Sequence, residues 1–304
     1  MAPLAGLVPV FLVLALGVGA RRFGILPEAA AAGLNRLVAN VALPAFFVLT
    51  VGTAPLGESF SARAVGVTAA LVTAATFLAL VAARFVRLSR EQSGVFAQAA
   101  MRGNLAYVAL PVVQASVGDG GLRLAAVTAA VLIPLMNVLA VAVLEAERTT
   151  GDRDYRLVVR VLANPMVAAA LGGLVLSRAG WHPWLWLQRT LEILSDFALP
   201  GALLALGAEL SFGRFASVWR PAVAVTVVKL CVVPGVGLWA MWALEATPLE
   251  TSVAVLLLAA PTAVVSYPVA AELGGDIDLA GSAILVTTVA SFGTYAVWAL
   301  ALGS

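Results

Sequence analysis

Apolar residues run along this chain in blocks too long for strands and too unbroken for the surface helices of a soluble domain. The blocks cover 3–20, 35–54, 64–83, 94–117, 122–144, 157–177, 190–210, 218–243, 251–273 and 279–302. Each comes close to the roughly 20 residues a helix needs to cross a hydrocarbon core. The pattern therefore predicts an all-α polytopic membrane protein of ten transmembrane helices, here numbered spans 1 to 10. The links between them are short. The most charged link runs from Glu145 to Arg156 and divides the chain almost in half. No stretch is long or polar enough to fold as a separate soluble domain.

Composition points the same way. Of 304 residues, 62% are hydrophobic and 11% charged, with mean hydropathy +1.02. A soluble domain of that length could not bury so much apolar surface, which must face lipid. The net charge of +2 says little, but the placement of the cations says more. Links after spans 1, 3, 5 and 7 hold twelve of the 18 Lys and Arg residues, while the opposite side holds four, Arg63, Arg123, Arg178 and Arg189. Cytoplasmic loops carry the excess of Lys and Arg. Both termini then lie outside the cytoplasm, which requires an even number of spans. The first 20 residues lack a basic leader, and Arg21 and Arg22 follow them, the reverse of a signal peptide. The expected location is the inner (plasma) membrane, with span 1 retained.

The two halves resemble each other. Ala42-Leu43-Pro44 in span 2 returns as Ala198-Leu199-Pro200 in span 7, and Asn40 returns as Asp196, both at an offset of 156. Pro111, Gly118 and Asp119 at the end of span 4 return as Pro268, Gly275 and Asp276 in span 9, at an offset of 157. Generic similarity between apolar helices is the plainer account of such matches. A true repeat of five spans would insert its second copy upside down, because five is odd. Inverted repeats are characteristic of secondary transporters, whose two pseudo-symmetric states alternate access across the membrane.

Spans 4 and 9 are the interrupted pair. Span 4 carries Arg102-Gly103-Asn104 and then Pro111, and span 9 carries Pro261 and Pro268. Proline removes an amide donor and clashes with the preceding turn, and glycine weakens the helix further. In lipid such breaks persist only against protein or a watery cavity. Simple proline kinks remain the alternative. Matched breaks would form a crossover at mid-membrane, where half-helix amides face an anion. Arg102, Asn104 and Lys229 lie inside spans, where a cation is costly by about 2.5–3.5 kcal/mol. Arg102 and Lys229 either attract an anion or neutralise helix C-termini. Asp196 either carries a coupling proton or caps a helix end. Gln98, Gln114 and Ser266 are candidate path-lining residues. Glu209 and Glu272 fall near span ends and are expected to be solvated.

Other chemistries lack their residues. Cys231, the one cysteine, lies in an apolar run and is expected to be an inert core thiol. His182, the one histidine, lies in a Trp- and Pro-rich link and is expected at the interface. No HExxH or GxSxG occurs, and Asp119 and Asp276 both sit at helix ends. The expectation is therefore not an enzyme, with no metal, no cofactor and no nucleic-acid partner. The expected partners are a small organic anion, a coupling proton or sodium ion, membrane lipid and, as an open option, a second copy in a homodimer.

At these residues the chain resembles the auxin efflux carrier family, which includes plant PIN carriers and bacterial malate or malonate permease-like proteins. The similar stretches are ALPAFF from Ala42, RGNLAYVALPVV from Arg102, LANPMVAAALGGLVL from Leu162, DFALPGALLALGAEL from Asp196, VVKLCVVPG from Val227 and APTAVVSYPVAAELGGD from Ala260. They cover nearly the whole chain in order. The resemblance implies a scaffold of spans 1, 2, 6 and 7 (1–54 and 157–210). It implies a transport domain of spans 3–5 and 8–10 (60–144 and 215–302), joined by the short link 145–156. It further implies an elevator motion around crossed, broken helices 4 and 9, carrying organic carboxylates. A substrate site of Arg102, Asn104, Pro111, Lys229, Pro261, Val265, Ser266 and Pro268 is expected, with Asn40, Asp196, Gln98 and Gln114 as coupling or structural polar groups. Asn104 matches the family's crossover asparagine. The second one, after Pro-x-Ala-Val, is replaced by Val265 followed by Ser266, so one amide of the family's cradle is missing. A cation/proton antiporter or sodium-coupled symporter of similar architecture is the competing reading.

Overall fold

The computed structural model describes residues 2–149, 164–209 and 215–303. Arg153, Arg156, Arg160 and Arg214, most of the 145–156 link and the start of span 6 lie outside the described residues. Besides the single turn Leu56–Ser59, eleven longer helices are described: α1 (Ala2–Arg22), α2 (Glu28–Gly52), α3 (Ala62–Phe85), α4 (Arg90–Met101), α5 (Leu105–Glu147), α6 (Pro165–Arg178), α7 (Leu185–Glu209), α8 (Val218–Ala243), α9 (Pro248–Leu258), α10 (Ser266–Glu272) and α11 (Ile277–Leu302). Among them, α2, α3, α5, α7, α8 and α11 are long and apolar enough to cross a membrane. Large apolar side chains such as Phe77, Phe85, Val289 and Val297 stand on their outer faces, as lipid contact requires. Cys231 is also on the outside of α8, a correction to the core thiol expected for it.

Spans 4 and 5 are joined almost without a loop. Within α5 the chain changes direction at Gly118, whose φ of 76° lies in the region that side-chain-bearing residues avoid. Three helices carry a widened π turn, Val38–Ala42 in α2, Leu105–Ala109 in α5 and Val228–Val232 in α8. Each ends two residues before a proline, Pro44, Pro111 or Pro234. The extra residue relieves the clash between the proline ring and the previous turn, so the helix continues. In α8 the carbonyl four residues before Pro234, that of Leu230, has lost its helical donor. The Trp298 indole of α11 donates to it at 2.8 Å. Pro111 thus bends a continuous helix, and the break in span 4 lies upstream of it.

That break is Arg102–Asn104, and the one in span 9 is Ala259–Val265. The two meet through their backbones. Asn104 N–H donates to the Pro261 carbonyl at 2.7 Å, and Ala263 N–H to the Arg102 carbonyl at 3.0 Å, around an antiparallel bridge between Gly103 and Thr262. Side chains complete the set. Thr262 donates its hydroxyl to Ala99 O at 3.0 Å, and its amide to the Thr287 hydroxyl at 3.0 Å. A helix end leaves four carbonyls without helical partners. At the end of α9 all four are bonded. Val255 O accepts from Ala259 N–H and Leu257 O from Ala260 N–H. Leu256 O accepts from the Tyr295 hydroxyl at 3.2 Å, and Leu258 O from the Lys229 ammonium at 2.8 Å.

Glycine sets the closest helix contact. A Cβ on Gly207 of α7 would stand 2.1 Å from the Leu14 carbonyl of α1, and one on Gly17 would stand 2.4 Å from the Leu204 carbonyl. On the other side Gly173 of α6 packs on the Phe47 carbonyl and on Val51 of α2. The contact of 17 with 207 thus recurs as that of 173 with 51, each position shifted by 156. Outside the apolar zone, buried Glu147 at the end of α5 binds Arg84 at 2.5 Å and Arg90 at 3.5 Å, tying α5 to α3 and α4.

Two stability outcomes follow from these contacts. Gly207→Ala overpacks a backbone crossing and is expected to cost about 1–3 kcal/mol. Gly19→Ala, with nothing within 4 Å, serves as the neutral comparison in thermal unfolding of detergent-purified protein. Lys229→Met strips a charged donor from a buried carbonyl and is expected to cost about 2–3 kcal/mol. Tyr295→Phe, losing a neutral bond to the same helix end, should cost about 0.5–1 kcal/mol. If Lys229→Met melts with the native chain, the helix end does not need its cap.

Candidate functional site

One large cavity, of about 530 Å³, opens beside the junction of the two breaks. One wall is made by α2, α6 and α7, which contribute Asn35, Asn164, Met166 and Glu209. The other is made by the junction with α5 and α11, which contribute Arg102 to Tyr107, Asn137 and Ile284 among others. The size is that of a small-molecule site, which typically runs from about 300 to 1,000 Å³.

Arg102 comes from the last turn of α4, where the helix stops and the chain turns extended. Its amide still bonds Gln98 O at 2.9 Å, while its side chain runs back to the Asn137 amide oxygen of α5. Asn104 precedes the first turn of α5, and its side chain caps nothing there. Both residues are 4% exposed. Both line the cavity, and both keep a buried donor without a partner, Arg102 Nη1 and Asn104 Nδ2. Burying polar groups without partners is costly, and such orphans call for an explanation. Here they stand beside the start of α5, whose first residues Leu105, Ala106 and Tyr107 line the same cavity. A helix start presents free N–H groups and the positive end of the dipole. The arrangement is suited to an anion with planar acceptor oxygens.

A second polar group spans the two walls. The Tyr107 hydroxyl of α5 donates to Asn35 Oδ1 of α2 at 2.6 Å. Asn35 shares its wall of the cavity with Glu209 at the end of α7. Glu209 is half-buried and lines the cavity, which corrects its expected place as a solvated span end.

The sequence-predicted residues separate into three groups. Arg102, Asn104, Val265 and Pro268 line the cavity. Lys229, Pro261, Ser266 and Gln98 do not, but they build the junction behind it. Lys229 is 1% exposed and caps α9, Pro261 O accepts from Asn104, and Gln98 Nε2 donates to Ser266 O at 2.9 Å. Pro111 is buried within α5. Asn40, Gln114 and Asp196 are exposed and away from the cavity, with Asn40 bonded to its own helix at Arg36 O. Asn35, Tyr107, Asn137 and Asn164 were missed. Asn137 carried a usable signal, an amide in the middle of an apolar run. Tyr107 lies inside the RGNLAYVALPVV stretch and Asn35 seven residues before ALPAFF, and both look like ordinary interfacial residues until the helices are placed. Among the described residues no group of His, Cys, Asp or Glu could hold a metal ion.

Comparisons with known proteins point to transport. A protein of Rhizobium meliloti named "Putative malonate transporter" is 27% identical over 310 residues, covering 97% of this chain and 94% of its own. An "Uncharacterized transporter" of Methanothermobacter thermautotrophicus is 25% identical over 294 residues, covering 96% of both chains. A third transporter, from Methanocaldococcus jannaschii, is 24% identical and covers 98% of both. The family described as Membrane transport protein matches residues 4–299. With a multi-helix membrane fold, a cavity among its helices and a family match along nearly its full length, the chain belongs to this Membrane transport protein family, that of the auxin efflux carriers.

Proposed function

We propose that the protein is a secondary active transporter of small organic carboxylates. The observation that carries this reading is the pair of buried, unpartnered donors on Arg102 and Asn104 at the start of α5. A carboxylate offers two oxygens in one plane. It would accept from both donors while its charge meets the guanidinium and the helix dipole. The Rhizobium relative's name points to the same class of compound. A cation/proton antiporter of similar architecture would need carboxylates at the junction, where Arg102 and Lys229 stand instead.

The transport mechanism in this reading is elevator-type alternating access. The cavity separates α2, α6 and α7 from the junction, α5 and α11, which supports the division into scaffold (1–54, 157–210) and transport domain (60–144, 215–302). The matched contacts of Gly17 with Gly207 and Gly173 with Val51 support a ten-span inverted repeat. In that repeat spans 4 and 9 cross where Gly103 meets Thr262. By the distribution of arginines, Asn35, Asn164 and Glu209 lie toward the cytoplasm. In this reading the cavity opens inward, in an inner-membrane protein with both termini outside.

Reconstituted vesicles supply the test. Exchange of labelled malonate, malate or indole acetate is expected from the native chain. Arg102→Gln is expected to weaken binding of the best substrate about tenfold or more, since a hydrogen bond to a charged group contributes about 1.5–3 kcal/mol. Failure of every organic anion to bind or exchange would overturn the reading.

A further inference from the structure

Arg102 and Glu209 are the only charged side chains that line the cavity among the described residues. They come from opposite walls, Arg102 from the junction and Glu209 from the end of α7. Glu209 has no ion-pair partner among the described residues. The Asn35 amide oxygen is occupied by the Tyr107 hydroxyl. Glu209, as a carboxylate, acts as an acceptor. The cavity thus has donors and positive charge on one wall, and acceptors with negative charge on the other.

From this we infer that Glu209 is a specificity-determining residue, and that the preferred substrate is a monoanionic carboxylate with a hydrogen-bond donor at its other end. The inference rests on the carboxylate reading above and narrows it. Arg102 and Asn104 hold the substrate carboxylate. Glu209 then accepts from an amide, hydroxyl or ring N–H at the far end. A dianion of the same shape brings a second negative charge toward Glu209 and leaves the acceptor without its donor. Both effects disfavour it, because specificity arises from repulsion and unpaired polar groups as much as from attraction.

The test uses half-amides, which match a diacid in shape but carry one charge and an N–H donor. Malonate and malonamate, succinate and succinamate, and glutarate and glutaramate are compared as competitors of exchange in vesicles holding the full chain. The three lengths are needed because the ligand must reach across the cavity. The native protein is expected to prefer the half-amide by about tenfold or more at the length that binds best. In Glu209→Gln that preference should shrink several-fold toward the diacid, with Glu209→Asp intermediate. Equal affinity of the native protein for acid and half-amide overturns the inference, as does a preference that survives Glu209→Gln intact. In both of those results organic anions still bind, so the transporter reading stands while the specificity reading falls. If none of the six compounds, nor malate or indole acetate, binds at all, both readings fall together. The native-chain comparison decides the matter by itself should the Glu209 variants fold poorly.

Discussion

A polypeptide inside hydrocarbon has no water to satisfy its peptide groups, and this constraint governs the structure around the two breaks. Each unsatisfied group is worth several kcal/mol there. Spans 4 and 9 nevertheless stop being helical at Arg102–Asn104 and Ala259–Val265. The breaks survive because each supplies what the other has lost. Asn104 donates to Pro261, Ala263 donates to Arg102, and Thr262 reaches both Ala99 and Thr287. Neither segment would hold its shape alone. The pairing of two irregular segments converts a liability into a rigid junction made of backbone.

The same accounting separates the two intramembrane cations, which look alike in sequence. Lys229 is consumed by the fold. Its ammonium closes the last open carbonyl of α9, where the negative end of the dipole also favours a cation. Arg102, which lines the cavity, is only partly consumed, because Asn137 takes one nitrogen and leaves Nη1 without a partner. A planar guanidinium with five donors can do both jobs at once, whereas the Lys229 ammonium, seated on a helix end, does not line the cavity. The division of labour follows from donor geometry rather than from charge.

Much of this was legible in the residues. Apolar blocks of membrane length, the Pro and Gly interruptions and the unusual cations were all readable, since each rests on a local cost that one stretch of chain must bear. The location of Arg102 and Asn104 at a break could be read for that reason. What could not be read was which polar groups come together from distant elements. Glu209 reads as a solvated span end, because nothing in its own stretch of chain places α2 and α5 beside it. Asn40 and Asp196, marked by the repeated Ala-Leu-Pro motif, proved to be exposed. The proline they precede shapes the helix, and in α2 the π turn before Pro44 absorbs it without creating a site. Repetition between the halves therefore identified structural positions more reliably than chemical ones.

The connections across the cavity differ in kind from those within its walls. Within the α1/α7 and α2/α6 pairs, glycines bring backbone against backbone, and such contacts do not slide. Within the junction, backbone hydrogen bonds fix one break to the other. Between the walls, among the described residues, the polar tie is the Tyr107 hydroxyl donating to Asn35. Side-chain bonds to a wetted cavity can be exchanged for water at little net cost, whereas buried backbone bonds cannot. If the two walls move past one another, the break occurs where this tie lies, and the junction with Arg102 and Asn104 moves as one piece. The weak polar seam and the substrate cavity then coincide for one reason. Both need water, and the rest of the apolar interior excludes it.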